Sequence, residues 1–187
     1  ATLRYLKSEM HRRATRQTSL SVTSLADLRD ADQSEKWPRI VTIIDEFQVL
    51  FDDKGTASEV VGLLGSLARQ GRSAGIHLIL ASQTSSGIDQ LAGVGTSIFN
   101  QFQARIALPR APMELLGPFN TAATNLAPHH VIINNQGGST TANTVASLPD
   151  RDAALIDKVL ISSATRRPEL RERQRVFDSR TSAVLDL

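Results

Sequence analysis

The sequence predicts an α/β fold: a mostly parallel sheet with crossover helices, closed by a C-terminal hairpin. Three observations carry that reading. Arg39-Ile-Val-Thr-Ile-Ile44 is a β-branched run with no polar alternation beyond Thr42, the composition of a strand covered on both faces as in a parallel sheet. A second apolar run, Ile76-His-Leu-Ile-Leu-Ala81, follows a stretch of helical periodicity. Strand, helix, strand, helix, strand in that order implies crossover connections.

Taken in order, residues 2 to 17 read as an amphipathic helix. Leu3, Leu6, Met10 and Ala14 form its apolar stripe, and Arg12, Arg13 and Arg16 its solvated basic face. Residues 18 to 38 form a polar connector with a short helix near Ser24 to Ala31, closed by Trp37-Pro38, since the residue before proline avoids helix. After the first strand, Thr56-Ala-Ser-Glu59 has the form of a capping box, and Val60, Leu63, Leu64 and Leu67 follow at helical spacing. Gly71 to Gly75 ends that helix. The second strand leads through a Gly/Ser-rich loop and a helix at about 88 to 101 to a third strand, Gln103 to Leu108. Pro109, Pro112 and Pro118 punctuate the next segment. His130 to Asn134 is a fourth strand, Gly137-Gly138 a turn, and Asn143 to Leu148 its hairpin partner. Asp150 to Ser163 reads as a helix. Residues 164 to 187 are charged and arginine-rich, with a short strand at Ala183 to Leu187. They are expected to be a connector beyond a domain of residues 1 to 163.

Composition narrows the function classes. A chain of 187 residues with 41% apolar and 21% charged residues can bury a real core and is not disordered as a whole. It has no cysteine, which excludes disulfides, thiolate metal sites and cysteine nucleophiles. No apolar run approaches the ~20 residues of a membrane helix, so no membrane contact is expected from this segment, and a cytoplasmic location is. The basic N-terminus lacks the apolar core of a secretory signal. The net charge of +2 does not by itself indicate nucleic-acid binding. Lysine occurs only at Lys7, Lys36, Lys54 and Lys158, so arginine dominates the cations.

The chemistry-bearing residues centre on the end of the first strand. Asp45-Glu46 puts two carboxylates at the carboxyl edge of a parallel sheet, where ligands of open α/β folds bind. Phosphoryl transfer uses such a pair, one holding Mg²⁺ through water and the other polarising the attacking water. An acidic turn after an ordinary strand has the same letters. Gln83 follows the second strand and could sense a γ-phosphate there. Arg69 and Arg72 bracket the end of the preceding helix, where cations also favour the dipole. His77, inside an apolar run, reads as a core histidine. His129-His130 has no partners at metal spacing. No G-x-x-x-x-G-K-[ST] and no G-x-G-x-x-G occurs, so no phosphate-cradling loop is visible.

Three stretches go beyond generic pattern. Arg39 to Phe47, then Leu67-Ala-Arg-Gln-Gly-Arg-Ser-Ala-Gly-Ile-His-Leu-Ile-Leu-Ala-Ser-Gln83, then Gln103 to Leu108 resemble the FtsK/SpoIIIE family of motor ATPases. The segment Leu3 to Arg13 looks like the helix before their Walker B strand. The resemblance covers about residues 3 to 148. It implies a RecA-like P-loop NTPase fold that assembles into homo-oligomeric, hexameric rings with ATP and Mg²⁺ between subunits. By motif, Asp45 is expected to be the Walker B aspartate that holds Mg²⁺ through water, and Glu46 the catalytic glutamate. Gln83 is the sensor, contacting ATP with Asp45, and Arg72 the arginine inserted into the neighbouring subunit's site. The phosphate-loop half is expected upstream of Ala1, in a parent that could be membrane-anchored.

Departures from the family pattern bear on the substrate. DNA-pumping members continue A-T-Q-R-P where this chain has Ala81-Ser-Gln-Thr-Ser85, and carry a lysine where it has Phe99. Their D-S-R after the third strand is replaced by Pro109 to Leu116, and the loop Thr84 to Gly95 is longer. Losing basic residues that face a duplex removes phosphate contacts, which supply most non-specific DNA affinity. The implied function is an ATP-driven DNA translocase of the FtsK/HerA type. The alternatives are a type VII-like protein-export ATPase, or a non-catalytic binding or assembly module for the chain as it stands.

Overall fold

The computed structural model describes residues 1–83, 100–111, 113–117, 119–149 and 152–166, and two short strands at 175–177 and 184–186. The chain divides into two compact units, one of residues 2–146 and one from Ser147 onward. In the first, α1 (Thr2–Ser19) and α2 (Leu25–Ala31) precede β1 (Ile40–Ile44), a 3₁₀ turn at Phe47–Phe51, α3 (Lys54–Gln70) and β2 (Ile76–Leu80). Then come β3 (Arg105–Ala107), a short α4 (Met113–Leu116), β4 (His130–Asn134) and β5 (Asn143–Ser147). The second unit holds α5 (Ala153–Arg166) and an antiparallel pair, β6 (Arg175–Phe177) and β7 (Val184–Asp186). Among the described residues, no helix is long and apolar enough to cross a membrane.

The unit β1–α3–β2 is the predicted crossover. β1 and β2 pair in parallel, Ile40 opposite Ile76 through Ile44 opposite Leu80. Ile40 and Ile44 of β1 and Leu78 and Leu80 of β2 face a core built from Leu3, Leu6 and Met10 of α1, Leu63, Leu64 and Leu67 of α3, and Phe47 and Phe51. The opposite face differs from expectation. Val41 is 56% and Ile43 69% exposed, so β1 is covered on one face only among the described residues. His77 shares that open face and is half-buried rather than a core residue. The parallel part of the sheet is also smaller than predicted. β3, β4 and β5 form a separate three-stranded sheet in which β3 runs antiparallel to β4. The predicted pairing of β4 with the 143–148 strand holds. The predicted helix at 88 to 101 lies almost wholly outside the described residues.

Two helix details are corrected. α3 begins before the predicted capping box: Asp53 is the N-cap and accepts from the Gly55 N–H at 2.9 Å, so Thr56 is already in the first turn. In α1, the buried stripe is Leu3, Leu6, Met10, Arg13 and Gln17, while Ala14 is exposed. Arg13 therefore leaves the basic face assigned to it. The residue is 1% exposed, and its guanidinium donates to Glu9 Oε1 at 2.7 Å, Pro38 O at 2.7 Å and Ala74 O at 2.9 Å. Burial is tolerated because the planar fork meets three acceptors at once. Gln17 Nε2 donates to Ser73 O at 2.9 Å. Together they fasten α1 to the turn that leads into β2.

Candidate functional site

The site lies where the chain leaves β1. Asp45 ends the strand, and Glu46 turns left-handed with φ 48° and ψ 47°, a region that costs a non-glycine residue about 1–2 kcal/mol. The turn is held from several sides. Glu46 N–H donates to Asp45 Oδ1 at 3.0 Å, and Phe47 N–H to Ala81 O at 3.1 Å. Ala81 N–H donates to Ile44 O at 2.9 Å. Phe47 is buried and meets Phe51 edge-to-face at 6.3 Å between ring centres. A buried aromatic on one side and the neighbouring strand on the other thus fix the turn that presents both carboxylates.

The end of β2 completes it. Gln83, exposed, brings its backbone N–H to 3.5 Å from Glu46 Oε2, a long contact. Gln48 Nε2 donates to the same oxygen. Asp45 is exposed. The three predicted residues Asp45, Glu46 and Gln83 are therefore together at the carboxyl edge of the parallel pair. Among the described residues, no group of three or more His, Cys, Asp or Glu side chains could hold a metal ion.

Arg72 is elsewhere. It is exposed in the turn between α3 and β2, whose Gly75 N–H donates to Arg72 O at 3.1 Å. That turn lies at the amino edge of the sheet, roughly 15 Å of strand away from the Asp45 edge. Within one chain Arg72 does not join the carboxylates. Arg69 is also exposed, and its guanidinium stands over Gly65. His130 Nδ1 lies 2.9 Å from Pro128 O, a local contact.

Sequence reasoning missed Gln48, Arg13 and Gln17. The last two had a signal, since 3, 6, 10, 13 and 17 continue one helical stripe. Gln48 had none, because its role depends on the left-handed turn at Glu46.

No family model matches the chain. It is 43% identical over 60 residues to DNA translocase FtsK 2 of Neisseria meningitidis serogroup A, and 45% identical over 60 residues to DNA translocase FtsK of Vibrio vulnificus. Each match takes in 32% of this chain and 6% of the relative, so the matched stretch is a small part of those proteins. Among solved structures, the conjugation coupling protein TcpA of pCW3, with ATPγS, aligns with a TM-score of 0.66 at 22% identity, over 87% of this chain and 48% of that one. EssC of Geobacillus thermodenitrificans (ATPases 2 and 3) gives 0.61 at 20% identity, over 90% and 31%. The cytoplasmic domain of the type VII secretion ATPase EccC of Thermomonospora curvata gives 0.54 at 25%, over 76% and 16%. The resemblance to FtsK/SpoIIIE-type P-loop ATPases is thereby shown, in sequence over 60 residues and in fold over most of the chain.

Proposed function

We propose that this chain carries the water-activating part of an FtsK/SpoIIIE-type motor ATPase that works as a homo-oligomeric, hexameric ring and translocates DNA. One observation carries the reading: Asp45 and Glu46 stand at the carboxyl tip of β1, with Gln83 at the tip of its parallel neighbour and its N–H directed at Glu46. In this reading Glu46 orients the attacking water and takes its proton as the water oxygen bonds the γ-phosphorus and ADP leaves. Gln83 lies beside the γ-phosphate. Asp45 would hold Mg²⁺ through water, and the ion would supply charge neutralisation at the phosphates. The phosphate loop comes from residues outside this chain, and Arg72 reaches the site of a neighbouring subunit.

DNA is favoured as the cargo because the relatives identical at 43–45% are named DNA translocases. A protein-export motor is the second reading. Its support is the missing basic residues at Thr84 and Phe99, which lie outside the described residues, and the fold shared with EssC and EccC.

Replacing Glu46 by Gln in the complete ATPase tests the assignment. Turnover should fall by at least a hundredfold with ATP affinity within a few-fold of the parent, the pattern of a group that acts in the transition state. Equal loss of binding and turnover would make Glu46 a structural or metal-holding residue. Stimulation of turnover by duplex DNA, read in the same assay, separates the DNA motor from the protein-export motor.

A further inference from the structure

We propose that Gln48 is the positioning residue of the Glu46 carboxylate, an inference that rests on Glu46 being the water-orienting base. Gln48 lies two residues beyond Glu46, in the 3₁₀ turn anchored by Phe47 and Phe51. Its Nε2 donates to Glu46 Oε2. Its Oε1 is buried and has no hydrogen-bond partner among the described residues. A buried acceptor without a partner is unfavourable, so this orientation persists because of what Nε2 gains on the other side. Here the opposite flip would set the carbonyl oxygen against the carboxylate. The amide is therefore oriented by Glu46, at the expense of its own acceptor.

The consequence is directional. Gln48 Nε2 and the more distant Gln83 N–H converge on Oε2. No described group hydrogen-bonds to Oε1, which leaves that oxygen to meet the attacking water. The left-handed backbone at Glu46 aims the side chain, and Gln48 fixes its last torsion. A base held this way loses little rotational freedom when water arrives, which is the entropic advantage of preorganised groups.

The test uses Gln48→Met, nearly isosteric, which removes the donor and the orphaned acceptor together. In the complete ATPase, kcat should fall about tenfold with KM unchanged, the cost of a mis-oriented base, while the melting temperature stays level or rises. A kcat within twofold of the parent, beside an inactive Glu46→Gln control, overturns the role of Gln48 and leaves Glu46 as the base. An active Glu46→Gln control instead overturns the base assignment and this inference with it. A second measurement does not depend on turnover or on the folding of Gln48→Met. In the 187-residue chain, the Gln48 side-chain amide protons should shift and exchange faster with solvent on Glu46→Ala. Unchanged Gln48 signals would overturn the contact itself.

Discussion

At the scale of single residues, both edges of the parallel pair hold a residue in the left-handed region, Glu46 at one and Gly75 at the other. Glu46 holds a left-handed conformation with φ 48°, and Gln48 leaves an acceptor unpaired to stay on it. Conformations of this kind persist where surrounding structure over-determines them and often mark function. The double change Glu46→Gly with Gln48→Met removes the backbone strain and both polar partners. It should raise stability by about 0.5–1 kcal/mol while abolishing hydrolysis. Urea unfolding measures this, and a loss of stability would mean the turn is not strained. At the other edge, Gly75 has φ 72°, and a Cβ there would come within 2.2 Å of Leu25 Cδ2. Gly75→Ala should therefore cost about 1–3 kcal/mol through strain and overpacking. It should also loosen the turn that carries Arg72. Thermal melting of the variant would show the loss, and an unchanged midpoint would mean that α2 yields without cost.

At the scale of elements, α1 acts as a strap. Through Arg13 and Gln17 it satisfies carbonyls of Pro38, Ser73 and Ala74, the entries to both parallel strands. Arg13→Met should cost about 2–4 kcal/mol, because it strands the buried Ala74 carbonyl, frees that of Pro38 and removes half of the Glu9 network; a loss under 1 kcal/mol in urea unfolding would contradict the strap. The ion pairs of the same helix should make stability sensitive to acid. The Arg16 guanidinium and the Ser34 hydroxyl hold the Asp32 carboxyl well below its ordinary 3.8, and Arg12 first, then Arg13, pulls Glu9 down. Depressed folded-state values mean that the unfolded chain binds protons more readily. This contribution is complete above about pH 4 and is lost as pH falls below it toward the folded-state values. Asp32→Asn should lower stability at pH 7 and narrow the difference between pH 7 and pH 3. An undiminished difference would assign acid sensitivity elsewhere. The legibility of the elements follows the same physics. β1, β2, the C-terminal end of α3, and the hairpin of β4 and β5, were readable because β-branched runs, helical spacing and glycine turns are local signals. The open face of Val41 and Ile43 was not, since what covers a strand depends on neighbours rather than on its own composition. Nor was the antiparallel pairing of β3, which a short apolar run leaves undetermined. Asp45, Glu46 and Gln83 were legible as strand-tip residues, whereas Gln48 became visible only with the turn.

At the scale of the whole molecule, one chain supplies the carboxylates and Arg72 at opposite edges of its sheet. The chain alone should neither bind Mg-ATP at micromolar affinity nor hydrolyse it, because nothing in its sequence forms a phosphate loop. Calorimetric titration and a phosphate-release assay check this, and steady turnover would reveal an unrecognised phosphate site. The position of Arg72 then sets two roles against each other. As a cap of its own helix, it interacts with the α3 terminus, worth only about 0.3–1 kcal/mol. As a finger in a neighbour's site, it would be worth about 10³–10⁵ in rate. Its exposure and its distance from Asp45 suit the second role in an oligomer. The turn bearing it is fastened to α1 by hydrogen bonds from Gln17 to Ser73 O and from Arg13 to Ala74 O. Mixing subunits of the complete ATPase decides between them. Rings built from Arg72→Ala subunits alone, or from Glu46→Gln subunits alone, should be inactive. In mixed rings some interfaces pair an intact arginine from one subunit with an intact glutamate from the next, so activity should return and peak at an intermediate ratio. A helix cap predicts no such recovery, together with a lowered melting temperature for Arg72→Ala. Absence of recovery with an unchanged melting temperature would instead mean that every interface must fire for the ring to turn. Single-turnover hydrolysis at the mixed interfaces separates that case, because a finger acting in trans should still yield one burst of phosphate there.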